Sequence, residues 1–145
     1  MPKINSRDWL FEVSEDPSIA TPVWAAVGGL QSFDLNNSEN EESVDTTDFD
    51  SEGIAESQAM QRGASCSLEG QRKVTDAGQE AADSLAELTG EASLGGFRFR
   101  HVDATDWTVW TAWVSKGNNG GGNNDKTSWG ATFMRSGAAT TEAVA

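Results

Sequence analysis

The stretch GGFRFRHVDATDWTVWTAWVSK, residues Gly95–Lys116, decides the fold. After the Gly95-Gly96 pair, Phe97, Phe99 and His101 alternate with Arg98 and Arg100, the two-residue period of a strand with one buried face. Val102 to Asp106 reads as a turn, and Trp107 to Lys116 is again strongly β. There one face carries Trp107, Val109, Thr111 and Trp113, and the other carries Trp110, Ala112 and Val114. Apolar residues on both faces predict a strand covered on both sides, or one that reaches a neighbouring subunit.

The same period recurs outward from this hairpin. Asp8 to Val13, Val23 to Val27, Leu30 to Asn36, Ala64 to Gln71 and Lys126 to Arg135 all read as strands. Cys66 falls on the apolar face of its strand and behaves there as a small core residue. Between strands, Asp76-Ala-Gly-Gln79 fits a capping box and opens the one predicted helix, about 13 residues long. Ala81, Ala82, Leu85 and Leu88 form its apolar face. Glu80, Asp83, Glu87 and Glu91 point to water, and Gly90 ends it. Residues 117 to 125 hold four Gly and four Asn and form a loop. Six or seven strands around one helix predict an antiparallel β-sandwich or partial barrel with the helix packed on the sheet.

A length of 145 residues suits one domain, here 1–137, followed by a C-terminal tail at 138–145. The net charge is −13, from 10 Lys+Arg against 23 Asp+Glu. That balance opposes a phosphate-gripping or anionic-membrane surface. One Cys and one His exclude an internal disulfide, a multi-Cys metal site and a His pair on zinc. No apolar run approaches the roughly 20 residues of a membrane helix, and no apolar leader follows Met1. The protein is expected to be made in a cytosol.

The charge is uneven. Residues 34 to 56 hold nine acids and no Lys or Arg, leaving 14 acids against 10 bases elsewhere. This acidic segment, a long loop at 36–57, is too repulsive and too poor in apolar residues to order alone. It is either a solvated loop or one that orders against another surface, with Phe49 and Ile54 as anchors.

Several motifs start and then fail. Asp48-Phe-Asp50-Ser-Glu52-Gly53 matches the front of a calcium loop, but Ala59 stands where the bidentate Glu belongs. Gly120 to Thr127 ends in Lys126-Thr127 like a phosphate loop, but Asp125 replaces the last Gly and a strand follows instead of a helix. His101 lies in an Arg/Phe strand with no partner placed beside it. No catalytic residue, metal ligand or cofactor site is expected. The six Trp either stack sugars, as on a carbohydrate-binding β-sandwich, or fill a core or subunit interface. Trp107, Trp110, Trp113 and Trp129 are the interface candidates.

WAAVGGL at 24–30, Ser32-Phe33, Val44-Asp45-Thr46-Thr47, Phe49 to Gly53, Gln61 to Ser65, Leu68-Glu69-Gly70 and Gly122 to Trp129 occur in an order similar to the major tail tube protein of long-tailed bacteriophages. The resemblance covers about residues 22 to 137. The Trp-rich strand departs from the Ser/Val-type strand expected there. The resemblance implies a structural virion protein, not an enzyme, that forms hexameric rings stacked into a tail tube. Genomic DNA would pass through without specific binding, and the tape measure, tail terminator and distal tail proteins would be partners. No cofactor and no membrane contact are implied. Glu41, Val44, Asp45, Phe49 and Ile54 become ring-stacking candidates, and Asp34, Glu69 and Gln71 lumen-facing ones. Alternatives are the carbohydrate-binding module and the tube of a contractile tail.

Overall fold

A computed structural model describes residues 3, 5–15, 23–38, 41–48, 52–117, 119–123 and 126–144. A 3-10 turn at Ser6–Asp8 leads into β1 (Trp9–Ser14), followed by β2 (Ala25–Ala26), β3 (Leu30–Asn36), β4 (Glu42–Asp45), β5 (Ser57–Gln61) and β6 (Ser65–Gln71). Then come α1 (Ala77–Ala86), a 3-10 turn at Gly90–Ser93, β7 (Gly95–His101), β8 (Asp106–Lys116), β9 (Ser128–Arg135) and β10 (Thr140–Ala143).

The main sheet is antiparallel and runs β2-β1-β7-β8-β9-β6-β3, with β10 also on β8. The long β8 joins two layers. Its residues Thr108 to Ala112 pair with β7, while Ala112 to Lys116 pair with β9. β10 continues past β9 on the same edge of β8, with Thr140 opposite Val109. At the break between them, Ser136 N–H donates to Thr111 O at 2.8 Å. The layers face each other across an aromatic core. Phe97 stacks on Phe133 with centroids 4.2 Å apart, and Phe33 meets Phe11 at 5.1 Å and Trp9 at 5.7 Å. This is the expected mainly-β partial barrel with one helix.

The Gly95-Gly96 pair is explained by close approach. A Cβ on Gly95 would lie 2.4 Å from Leu85 Cδ1, and one on Gly96 would lie 2.8 Å from the Trp24 ring. Leu85 therefore sits directly on the start of β7, while the helix lies mainly across β8 and β1, burying Ala81, Ala82 and Leu85.

Four local expectations are corrected. The helix stops at Ala86, so Leu88 is half exposed instead of packed. Asp76 does cap the helix, accepting from Gln79 N–H at 3.0 Å, but the Gln79 side chain does not return the bond. It is fully buried and staples two loops: Oε1 accepts from Lys73 N–H, and Nε2 donates to Gly28 O and Gln71 O, all at 2.9 Å. The 36–57 segment is not all loop: β4 lies inside it and pairs with β5, which starts at its last residue, Ser57, as a separate two-stranded hairpin. Finally, residues read as a tail form β10, clamped to the sheet by an ion pair from Glu142 to Arg98 at 3.5 Å.

Candidate assembly surfaces

β3, β6, β9 and the second half of β8 make a four-strand face whose outward side is polar except for the cross-strand pair Trp113 and Met134. Pairing sets Asp34 opposite Ser67, Ser32 opposite Glu69, and Thr132 opposite both Ser67 and Ser115. The Ser67 and Thr132 hydroxyls hydrogen-bond at 3.1 Å. Alternation along β3 and β6 puts Asp34, Glu69 and Gln71 on this one side, and all three are exposed. Among the outward positions of these strands there is no Lys or Arg. A shallow cavity of about 400 Å³ opens here, lined by Ser32, Ser67, Glu69, Ser128 and Thr132 among others. Beneath it the Cys66 thiol is pushed up to about 12, by burial first and by the nearby Asp34 charge second.

This face has two unpaired edges. Among the described residues β3 pairs only with β6, and Trp113 to Lys116 pair only with β9. An open seven-residue strand edge such as β3 is a template for another strand.

The β4–β5 hairpin stands off the main sheet with every strand residue exposed. Thr47 ties its two strands together. Its N–H donates to Asp45 Oδ1 at 2.8 Å, its hydroxyl donates to Glu56 O at 3.1 Å, and the hydroxyl oxygen accepts from Glu56 N–H at 2.7 Å. Hydrogen bonds from the Thr47 side chain and amide hold the Asp45 carboxyl below its ordinary value. Glu41 pairs loosely with Arg62 at 3.7 Å. Val44, Ile54 and Met60 are uncovered apolar side chains here. Phe49 lies outside the described residues.

The four Trp do not form one surface. Trp107, Trp110 and Trp129 are already buried inside the chain, at 7, 2 and 1 % exposure, so a neighbour could cover little more of them. Trp113 remains 43 % exposed beside the unpaired edge of β8. Trp107 is covered from outside by Arg98, whose guanidinium lies 4.2 Å from that ring and 4.5 Å from Trp24. Glu12 bonds the same guanidinium, with Nε to Oε1 at 2.7 Å. The alternation of Arg with Phe signalled that Arg98 leaves the core. Nothing signalled that it would lie between the indoles of Trp107 on β8 and Trp24 in the segment before β2.

The near-miss motifs also resolve locally. His101 Nδ1 accepts from Asp103 N–H at 3.2 Å in the β7–β8 turn. Lys126-Thr127 leads into β9, so no helix N-terminus is presented. Among the described residues no cluster of three His, Cys, Asp or Glu could hold a metal ion.

Among the described residues the architecture is an antiparallel partial barrel with open strand edges at β3 and at the second half of β8, a packed helix and a detached acidic hairpin. No protein-family model matches the chain, and no curated protein matches it. Solved structures do. A chain in the tail of an empty GTA particle, determined with C6 symmetry, superposes with a TM-score of 0.74 at 21% identity, covering 97% of this chain and all of that one. A chain of the native gene transfer agent (GTA) virion gives 0.73 at 22% identity, with 97% and 100% coverage. A chain of the anti-feeding prophage baseplate, 6-fold symmetrised, gives 0.59 at 12% identity, with 99% and 97% coverage. This chain shares the fold of those particle components.

Proposed function

We propose that the protein is a structural tail tube subunit that closes into six-membered rings and stacks into a conduit for DNA. The observation that carries the reading is end-to-end similarity, at a TM-score of 0.74, to a chain of a C6-symmetric tail. The open strand edges supply the means. β3 of one subunit would pair with the free Trp113–Lys116 edge of the next, a heterologous contact that closes by rotation. Six four-strand faces would make a barrel of about 24 strands, roughly 45–50 Å across at the backbone. The polar face would line the bore, with Asp34, Glu69 and Gln71 inward. A wall without cations releases no counterions from phosphate and so does not hold the duplex.

The exposed β4–β5 hairpin, with Glu41, Val44, Asp45 and Ile54, would reach the adjacent ring. The role is structural and virion-borne, with no catalysis and no cofactor. Tape measure, terminator and distal tail proteins would meet the bore and the two tube ends. The similarity to an anti-feeding prophage chain keeps the tube of a contractile machine as the second reading.

Electron microscopy of the purified protein at rising concentration tests the proposal. Rings and tubes with six-fold symmetry are expected. A strict monomer at millimolar concentration, or sugar-dependent quenching of Trp fluorescence without assembly, would overturn it.

A further inference from the structure

Resting on the tube reading, we infer where the acidic hairpin docks: on the Lys73-Val74 turn and Lys126 of a second copy in the next ring. Hairpin and turn stand at opposite ends of β6. The hairpin enters this strand at Ser65, and the turn follows Gln71. Seven residues of strand span about 23 Å, so a chain's hairpin is kept from its own turn. A contact between them joins two molecules head to tail, and repetition of that contact gives an open stack.

The turn is built as an acceptor. Val74 is 83 % exposed, an apolar side chain with nothing of its own chain to cover it. Thr75 beside it has φ +63°, a strained conformation for a β-branched residue, of the kind that clusters at binding sites. Arg72 N–H donates to Thr127 O at 2.8 Å, which brings Lys126 to the same end. Arg72 is neutralised by Asp83, but among the described residues neither Lys73 nor Lys126 has a carboxylate partner. Gln79 fixes the turn through its bond to Lys73 N–H. The hairpin offers the complement: Glu52 and Glu56 lie two residues to either side of the uncovered Ile54, which is 70 % exposed, and Glu42 is exposed on β4. Apolar contact between Ile54 and Val74, ringed by opposite charges, gives the stack both adhesion and one polarity.

Charge reversal tests the docking. Lys73→Glu/Lys126→Glu protein should keep wild-type circular dichroism and melting and still form rings. It should need about tenfold more protein to lengthen into tubes. Glu52→Lys/Glu56→Lys protein should show the same defect, and combining the four changes in one chain should restore tubes. Normal stacking by either double variant, or no rescue by the combination, would overturn the inference while leaving the ring reading intact. Wild-type protein that never forms rings would instead overturn the tube reading, and this inference with it.

Discussion

Trp129, at 1 % exposure, donates its indole N–H to Asp83 Oδ1 at 3.1 Å. The same carboxylate bonds Arg72 and lies 3.8 Å from Lys116 Nζ, so one helical acid ties α1 to β8, β9 and the turn after β6. Asp83→Ala removes the acceptor and leaves a buried indole N–H unpaired. It should lower the unfolding free energy by about 2 kcal/mol and Tm by roughly 5 °C. Asp83→Asn keeps an oxygen for the indole and loses only partly exposed ion pairs, so its cost should be under about 1 kcal/mol. Urea unfolding of both variants checks the order. Equal losses would mean the ion pairs, and not the indole bond, carry the effect.

Gln79 is the second tie. Its side chain is 0 % exposed and makes three bonds to main-chain groups of two loops. Gln79→Ala should cost about 3 kcal/mol, because it orphans Lys73 N–H and two carbonyls together. Gln79→Glu keeps the acceptor but sets a buried carboxylate against the carbonyl oxygens of Gly28 and Gln71. At neutral pH it should be the worse of the two, and it should recover as acid protonates the carboxylate and restores a donor. Melting curves at pH 7 and pH 5 would show the reversal of rank, and a pH-independent rank would refute this account of the loop staple.

Both ties were invisible in the sequence for one reason. Asp83 sits at a helix position that pattern assigns to water, and Gln79 at one that pattern assigns to a capping box. Trp129 on β9 and Gly28 in the loop before β3 are partners that no local period can bring near, and the bonds from Gln79 to Lys73 and Gln71 depend on the turn after β6 folding back on the helix start. By contrast Leu30–Asn36 and Gly95–Lys116 were readable almost to the residue, because burial of one or both faces imposes a period. β4, β5 and β10 were missed because every residue of them is exposed, so no apolar alternation marks them. Trp113 could not be separated from Trp107 on its own face. The difference is Arg98, which reaches across to cover one indole and not the other.

Cys66 gives a pH test. Its thiol rises from 9.0 to about 12 in the folded chain. A raised value means the folded state keeps its proton where the unfolded state has lost it. Below pH 9 the thiol does not alter stability, and between about 9 and 12 stability falls as the unfolded thiolate forms. Folded protein should resist thiol reagents at pH 8 and react fully in denaturant. Cys66→Ala should abolish the labelling and flatten that part of the alkaline decline. Rapid labelling of the native protein would show that the strand β6 opens far more readily than its burial implies.

The polar face gives the functional test. Asp34→Lys/Glu69→Lys changes two exposed positions on adjacent strands and should leave folding within about 0.5 kcal/mol of wild type. In the proposed six-membered ring it would alter the bore by 6 × 4 = 24 charges, from an acidic wall to a basic one. Wild-type tubes should pass or release duplex DNA at any ordinary salt. The variant tubes should retain it at about 50 mM salt and release it steeply by about 200 mM, since each neutralised phosphate releases a counterion. Placing Lys on the exposed side of α1 and at its C-cap instead, at Glu80 and Glu87, controls for charge alone. Those tubes should bind DNA on their outside, where nuclease reaches it, whereas DNA held by the Asp34/Glu69 variant should be protected. Nuclease-sensitive DNA on both would show that this sheet face looks outward and that the bore is lined by another surface.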